Sequence, residues 1–77
     1  MNDARRKEIQ RARALIGEAE DILQVALTQE QDDYDTMPED LRNDDSGERA
    51  EEVLDALERA AMGCGDAITA CQEAIQG

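Results

Sequence analysis

Histidine, tryptophan and phenylalanine are absent from this sequence, and Tyr34 is its single aromatic residue. Without His, the side chain most used for acid–base chemistry near neutral pH is missing, and so is a common zinc ligand. Without aromatic bulk, a small core has few means of filling itself. The one serine, Ser46, stands in an acidic stretch with no base beside it, which leaves nucleophilic catalysis without its parts. Only two cysteines occur, Cys64 and Cys71. On a helix they lie about 10.5 Å apart along the axis, too far for a disulfide between them. They read as small buried hydrophobes, with an inter-subunit disulfide as the alternative.

Further absences narrow the class. No apolar run approaches the roughly 20 residues needed to cross a membrane. Sparse cysteine and no signal peptide point to the cytoplasm. The acidic stretch from Asp32 to Asp45 lacks the alternating ligands, central Gly and closing Glu of a calcium loop. No cofactor motif is present, and carboxylates at helical spacing, such as Glu51, Asp55 and Glu58, fit a solvated face better than a catalytic pair. The expectation is a protein that binds rather than catalyses.

What is abundant is negative charge, −12 over 77 residues. It is unevenly placed. Residues 1–13 hold Arg5, Arg6, Lys7, Arg11 and Arg13 against Asp3 and Glu8, a balance of +3. Residues 30–58 hold thirteen acids against Arg42 and Arg49, a balance of −11. Such a field opposes direct nucleic-acid binding.

The apolar residues are arranged for helices. Segment 2–35 has one Gly, no Pro and many good helix formers. Ile9, Ala12, Ile16, Ala19, Leu23 and Ala26 recur at three- and four-residue intervals, the mark of a narrow coiled-coil seam. Asn2 or Asp3 can cap the start. Pro38 should end this helix by about Thr36. Thr36 with Glu39 fits a capping box for one helical turn through Leu41, and Asp45 with Glu48 fits another. Met37 and Leu41 are expected to plug the turn. In segment 47–76, Ala50, Leu54, Leu57, Ala61, Cys64, Ile68, Cys71 and Ile75 sustain an unbroken heptad seam, with Val53, Ala60, Ala67 and Ala74 as a small-residue stripe beside it.

The fold expected is all-α: one domain, residues 1–77, forming an antiparallel two-helix hairpin with helices about 2–35 and 47–76. Folded about residue 40, the seams pair Ile9 with Cys71, Ala12 with Ile68, Ile16 with Cys64, Ala19 with Ala61, Leu23 with Leu57 and Ala26 with Leu54. Large residues mostly meet small ones, as interdigitated packing requires. Gly17 falls level with Gly63 and Gly65; close backbone approach or a local bend is the reading preferred over a ligand groove. Two helices alone leave Leu15, Ile22, Leu27 and the small-residue stripe partly uncovered. A second copy, completing a four-helix bundle as a homodimer, would cover them.

Two charged groups are candidate binding surfaces. The acidic surface comprises Asp32, Asp33, Asp35, Glu39, Asp40, Asp44, Asp45, Glu48, Glu51, Glu52, Asp55 and Glu58. Carboxylates spaced on a rigid rod can occupy a protein surface built for nucleic-acid phosphates; a solubilising tip is the alternative. The basic start, Arg5, Arg6, Lys7, Arg11 and Arg13, can grip a phosphate-bearing ligand, or lie against Glu73 and the C-terminal carboxylate, or dock on another subunit's acidic tip.

The turn Tyr34-Asp35-Thr36-Met37-Pro38-Glu39-Asp40-Leu41, then Gly47-Glu48 and an acidic Leu/Ala-patterned helix, resembles small acidic bacteriophage and prophage proteins of unassigned function. The shared pattern is Tyr-x-x-Met-Pro-Glu-x-Leu followed by Gly-Glu, over about residues 30–70; Gly63-Cys64-Gly65 departs from it. The resemblance implies a phage accessory protein in the host cytoplasm. It also implies inhibition of a host defence or nucleic-acid-handling protein, in the manner of anti-CRISPR or anti-restriction factors. Two further readings stand beside this one: a structural or assembly protein acting through its seam residues Ile9, Ile16, Leu23, Leu54, Leu57, Cys64, Ile68, Cys71 and Ile75, and an oligomer that sequesters a phosphate-bearing ligand.

Overall fold

The computed structural model describes all 77 residues, Met1 to Gly77, and contains helices and turns but no strands. α1 runs Asp3–Asp35, a short α2 runs Glu39–Arg42, and α3 runs Asp45–Gln76. The long helices lie side by side in opposite directions, giving an extended helix–turn–helix of 58 × 14 × 12 Å. Its radius of gyration, 17.3 Å, far exceeds the roughly 11.5 Å of a compact chain this long. No helix is long and apolar enough to cross a membrane.

Local chemistry sets the helix ends. Asn2 caps α1, its side chain accepting from the Arg5 amide at 2.8 Å. The start of α3 departs from expectation: Asp44, not Asp45, is the cap, accepting from the Ser46 amide at 2.8 Å. Asp45 and Glu48 are then left in the first turn, where carboxylates complement the helix dipole. Thr36 forms no capping box. Its hydroxyl turns back to the Asp32 and Asp33 carbonyls, at 3.1 and 3.2 Å, and Pro38 precedes α2 without a side-chain cap. A hydroxyl at the end of a 33-residue helix has backbone carbonyls within reach one turn back, Asp32's already taking the Thr36 amide, and bonds there first.

The seam of α3 faces α1 throughout: Ala61 is buried, and Ala50, Leu54, Leu57, Cys64, Ile68, Cys71 and Ile75 are half-buried. On α1 the inward line is Ile9, Ile16, Glu20, Leu23, Leu27 and Tyr34, all half-buried. Ala12 and Ala19, expected inside, are exposed, while Leu27 and Ala67 are more covered than expected. The reason lies in the phase of α1. It carries two parallel apolar lines, and α3 takes the one with the larger side chains. Cross-helix neighbours such as Arg6–Ile75, Glu20–Gly65 and Tyr34–Glu51 have numbers summing to slightly more than 80. Side chains lean toward their own helix N-terminus, which shifts an antiparallel pair in this direction.

The second apolar line of α1, Ala12, Leu15, Ala19, Ile22 and Ala26, follows a 3-4-3-4 spacing. On α3, Val53, Ala56, Ala60, Gly63, Ala67, Ala70 and Ala74 do the same with small residues. At 3.6 residues per turn both lines rotate to one side of the helix pair. Leu15, Ile22 and Val53 are 55, 69 and 44% exposed there. The opposite side is polar, with an open recess of about 350 Å³ between Gln10, Arg13, Ala14, Gly17 and Ile68.

Candidate functional site

The turn end of the molecule holds the densest charge and the most specific contacts. Asp32, Asp33 and Asp35 crowd the C-terminus of α1, where the dipole disfavours anions, and that last turn has no basic residue of its own. Arg42 supplies the missing cation. Its guanidinium donates to the carbonyls of Asp35 and Met37, at 2.9 and 3.1 Å, and lies 5.4 Å from the centre of the Tyr34 ring. Its Nε is buried without an acceptor, so the outer nitrogen does the bonding. Leu41, expected to plug the turn with Met37, is instead 45% exposed. The Asp35 carbonyl at the end of α1 and the Met37 carbonyl in the turn draw the guanidinium inward, and Leu41 stays outside.

Gly47 makes this packing possible. It is buried in the first turn of α3, and a Cβ there would collide with the backbone carbonyl of Arg42. Close approach, expected at Gly17 and Gly63, occurs at Gly47. A Cβ at Gly17 or Gly63 would meet nothing within 4 Å, and one at Gly65 would meet only the Glu20 carboxylate, at 3.2 Å. In the sequence Gly47 stands only as part of the Gly-Glu motif; its signal is a glycine in the first turn after a capping aspartate, where α2 packs against α3.

Tyr34 ties the end of α1 to α3. Its hydroxyl donates to Glu51 at 2.6 Å. That bond, then desolvation and the nearby negative charge of Glu51, raise the phenol above its ordinary value of 10.0, against an opposing pull from Arg42.

Around this framework the acidic surface stays open. Asp32, Asp33, Asp35, Glu39, Asp40, Asp44, Asp45, Glu48, Glu51, Glu52, Asp55 and Glu58 are all exposed. Among them Asp55 alone has an ion-pair partner, Arg59 at 3.0 Å. Asp35 accepts from Gln31 at 3.0 Å. No three of the protein's acids and cysteines converge closely enough to hold a metal ion.

The basic start is dispersed by comparison. Arg6 is half-buried and committed, donating to the Ile75 carbonyl at 3.3 Å and pairing with Asp3 at 3.5 Å. This gives the C-terminus of α3 the cation its own last turn lacks. Glu73, expected as the neighbour of these cations, takes part in no ion pair. It is exposed beside the inward-turned Ala74 and Ile75. Arg5, Lys7, Arg11 and Arg13 are exposed, and successive helical phases fan them around the rod.

No protein-family model, curated protein or solved structure matches the chain.

Proposed function

We propose that this protein is a non-enzymatic interaction protein: a two-helix hairpin, paired with a second copy in a four-helix bundle, that binds a cation-lined surface of another protein through its acidic end. One observation carries the reading. Twelve carboxylates are exposed around the turn and the start of α3, and all but Asp55 lack an ion-pair partner. Unneutralised charge on a rigid helical frame needs little reordering when it meets a complementary surface, which favours both association rate and specificity. The frame is held by the Arg42 and Tyr34 contacts, so the acids keep their spacing. The likeness of the turn to phage proteins adds a biological direction, a host defence or nucleic-acid-handling protein as the target.

The test is capture from nuclease-treated bacterial lysate by the tagged chain. A variant carrying Asp32→Asn, Asp33→Asn, Asp44→Asn, Asp45→Asn and Glu48→Gln serves as control. The reading requires a nucleic-acid-handling protein to be retained by the wild type and lost by the variant. Equal capture by both contradicts it.

A further inference from the structure

We infer that two copies pair tip to tail through the face bearing Leu15 and Ile22, which leaves one acidic end at each pole of the assembly. This rests on the pairing proposed above and specifies its face and direction. The need for a partner surface is quantitative. The chain exposes 5678 Å², whereas a compact monomer of 8.5 kDa exposes about 4,700 Å². The excess, about 1,000 Å², is close to the roughly 800 Å² that each partner contributes to a stable interface. Only Gly47 and Ala61 are buried in a single copy, so a lone helix pair lacks a core.

The apolar face fits a second copy of itself. Its central residues, Leu15, Ala19 and Ile22 on α1 and Ala60, Gly63 and Ala67 on α3, carry no charge. Two orientations bring such faces together with two-fold symmetry. With the turns at the same end, two segments of −11 lie side by side. With the turns at opposite ends, each −11 segment lies along the partner's +3 start. Coulomb interaction selects the second. The apolar residues agree with it. A two-fold axis beside Ala19 sets Leu15 against Ile22 of the second copy. On the other helix the register of the pair puts the same axis between Gly63 and Ala67, whose small size permits close approach. Acids that point away from this face, such as Glu51, Asp55 and Glu58, stay open, so each assembly presents two equivalent binding ends, on the order of the 58 Å molecular length apart.

The experiment combines sedimentation equilibrium with a cysteine cross-link. Ala19→Cys is made in a Cys64→Ala, Cys71→Ala background, beside a control carrying Glu18→Cys on the outer face. The expected result is twice the chain mass in solution, and a covalent dimer that forms readily on mild oxidation at position 19 but not at 18. Chain mass alone at tens of micromolar would overturn the pairing itself. Twice the chain mass without a cross-link at position 19 would overturn the tip-to-tail arrangement while leaving the pairing standing. A second pair of variants, Leu15→Glu and Ile22→Glu, is expected to shift the mass toward the single chain; unchanged mass would overturn the choice of face. All of these variants keep the acidic surface intact, so failure of the pairing and failure of binding through the acidic end are read separately.

Discussion

Tyr34 and Glu51 share a hydrogen bond of 2.6 Å that joins the last turns of α1 to the second turn of α3. Because Glu51 accepts from the neutral phenol, the folded protein holds the Tyr34 proton more tightly than the unfolded chain does. Stability from this bond is therefore fully present below about pH 10, the phenol's unfolded value, and is lost as pH rises through the raised folded value. With Tyr34 the only aromatic residue, tyrosinate absorbance reads this one site. The midpoint is expected above 10, and Glu51→Gln should bring it back toward 10. A wild-type midpoint at or below 10 would show that the bond does not persist in solution.

Glycines in this protein divide into two kinds. Gly47→Ala drives a Cβ into the Arg42 carbonyl, and overpacking of this kind destabilises by about 1–3 kcal/mol. Gly17 faces open space, so Gly17→Ala should stabilise by about 0.5–1 kcal/mol through helix propensity. Denaturant unfolding at one fixed protein concentration checks both. Equal effects of the two substitutions would remove Gly47 as the pivot of the turn.

Arg42 closes α1 from outside the helix. Arg42→Ala strips the Asp35 and Met37 carbonyls of their donor, a loss of about 1–3 kcal/mol for charge-assisted bonds. Arg42→Lys should recover only part, since a compact ammonium does not reproduce the planar guanidinium that reaches both carbonyls beside Tyr34. Thermal melts followed by circular dichroism are expected to rank wild type above Lys above Ala; identical melting temperatures would show that the contacts contribute nothing.

The sequence makes some of these features legible and hides others, for physical reasons. The inward line of α3 can be read directly, because eight apolar residues share one phase and no competing large residues do. α1 is ambiguous. Ile9, Ile16 and Leu23 mark one line, but Ala12 and Ala19 belong equally to a second line with Leu15 and Ile22, and only the packing of α3 decides between them. Helix ends blur where cap-competent residues adjoin, as at Asp44 and Asp45. Arg42 turning inward while Leu41 stays exposed reverses the usual hydropathy rule. It follows from the carbonyls of Asp35, at the end of α1, and Met37, in the turn, whose placement is a property of the folded backbone and not of local composition. The acidic surface is visible in the sequence as a cluster, while its freedom from ion pairs is visible only in three dimensions.

The central claim is that binding runs through exposed, unneutralised carboxylates. Its most direct test is the affinity of the captured protein for this chain across a series of salt concentrations, with duplex DNA as competitor. The account predicts that affinity falls steeply as salt rises, that DNA displaces the chain, and that the acid-neutralised variant shows neither effect. Binding that is insensitive to salt and retained by that variant would contradict it.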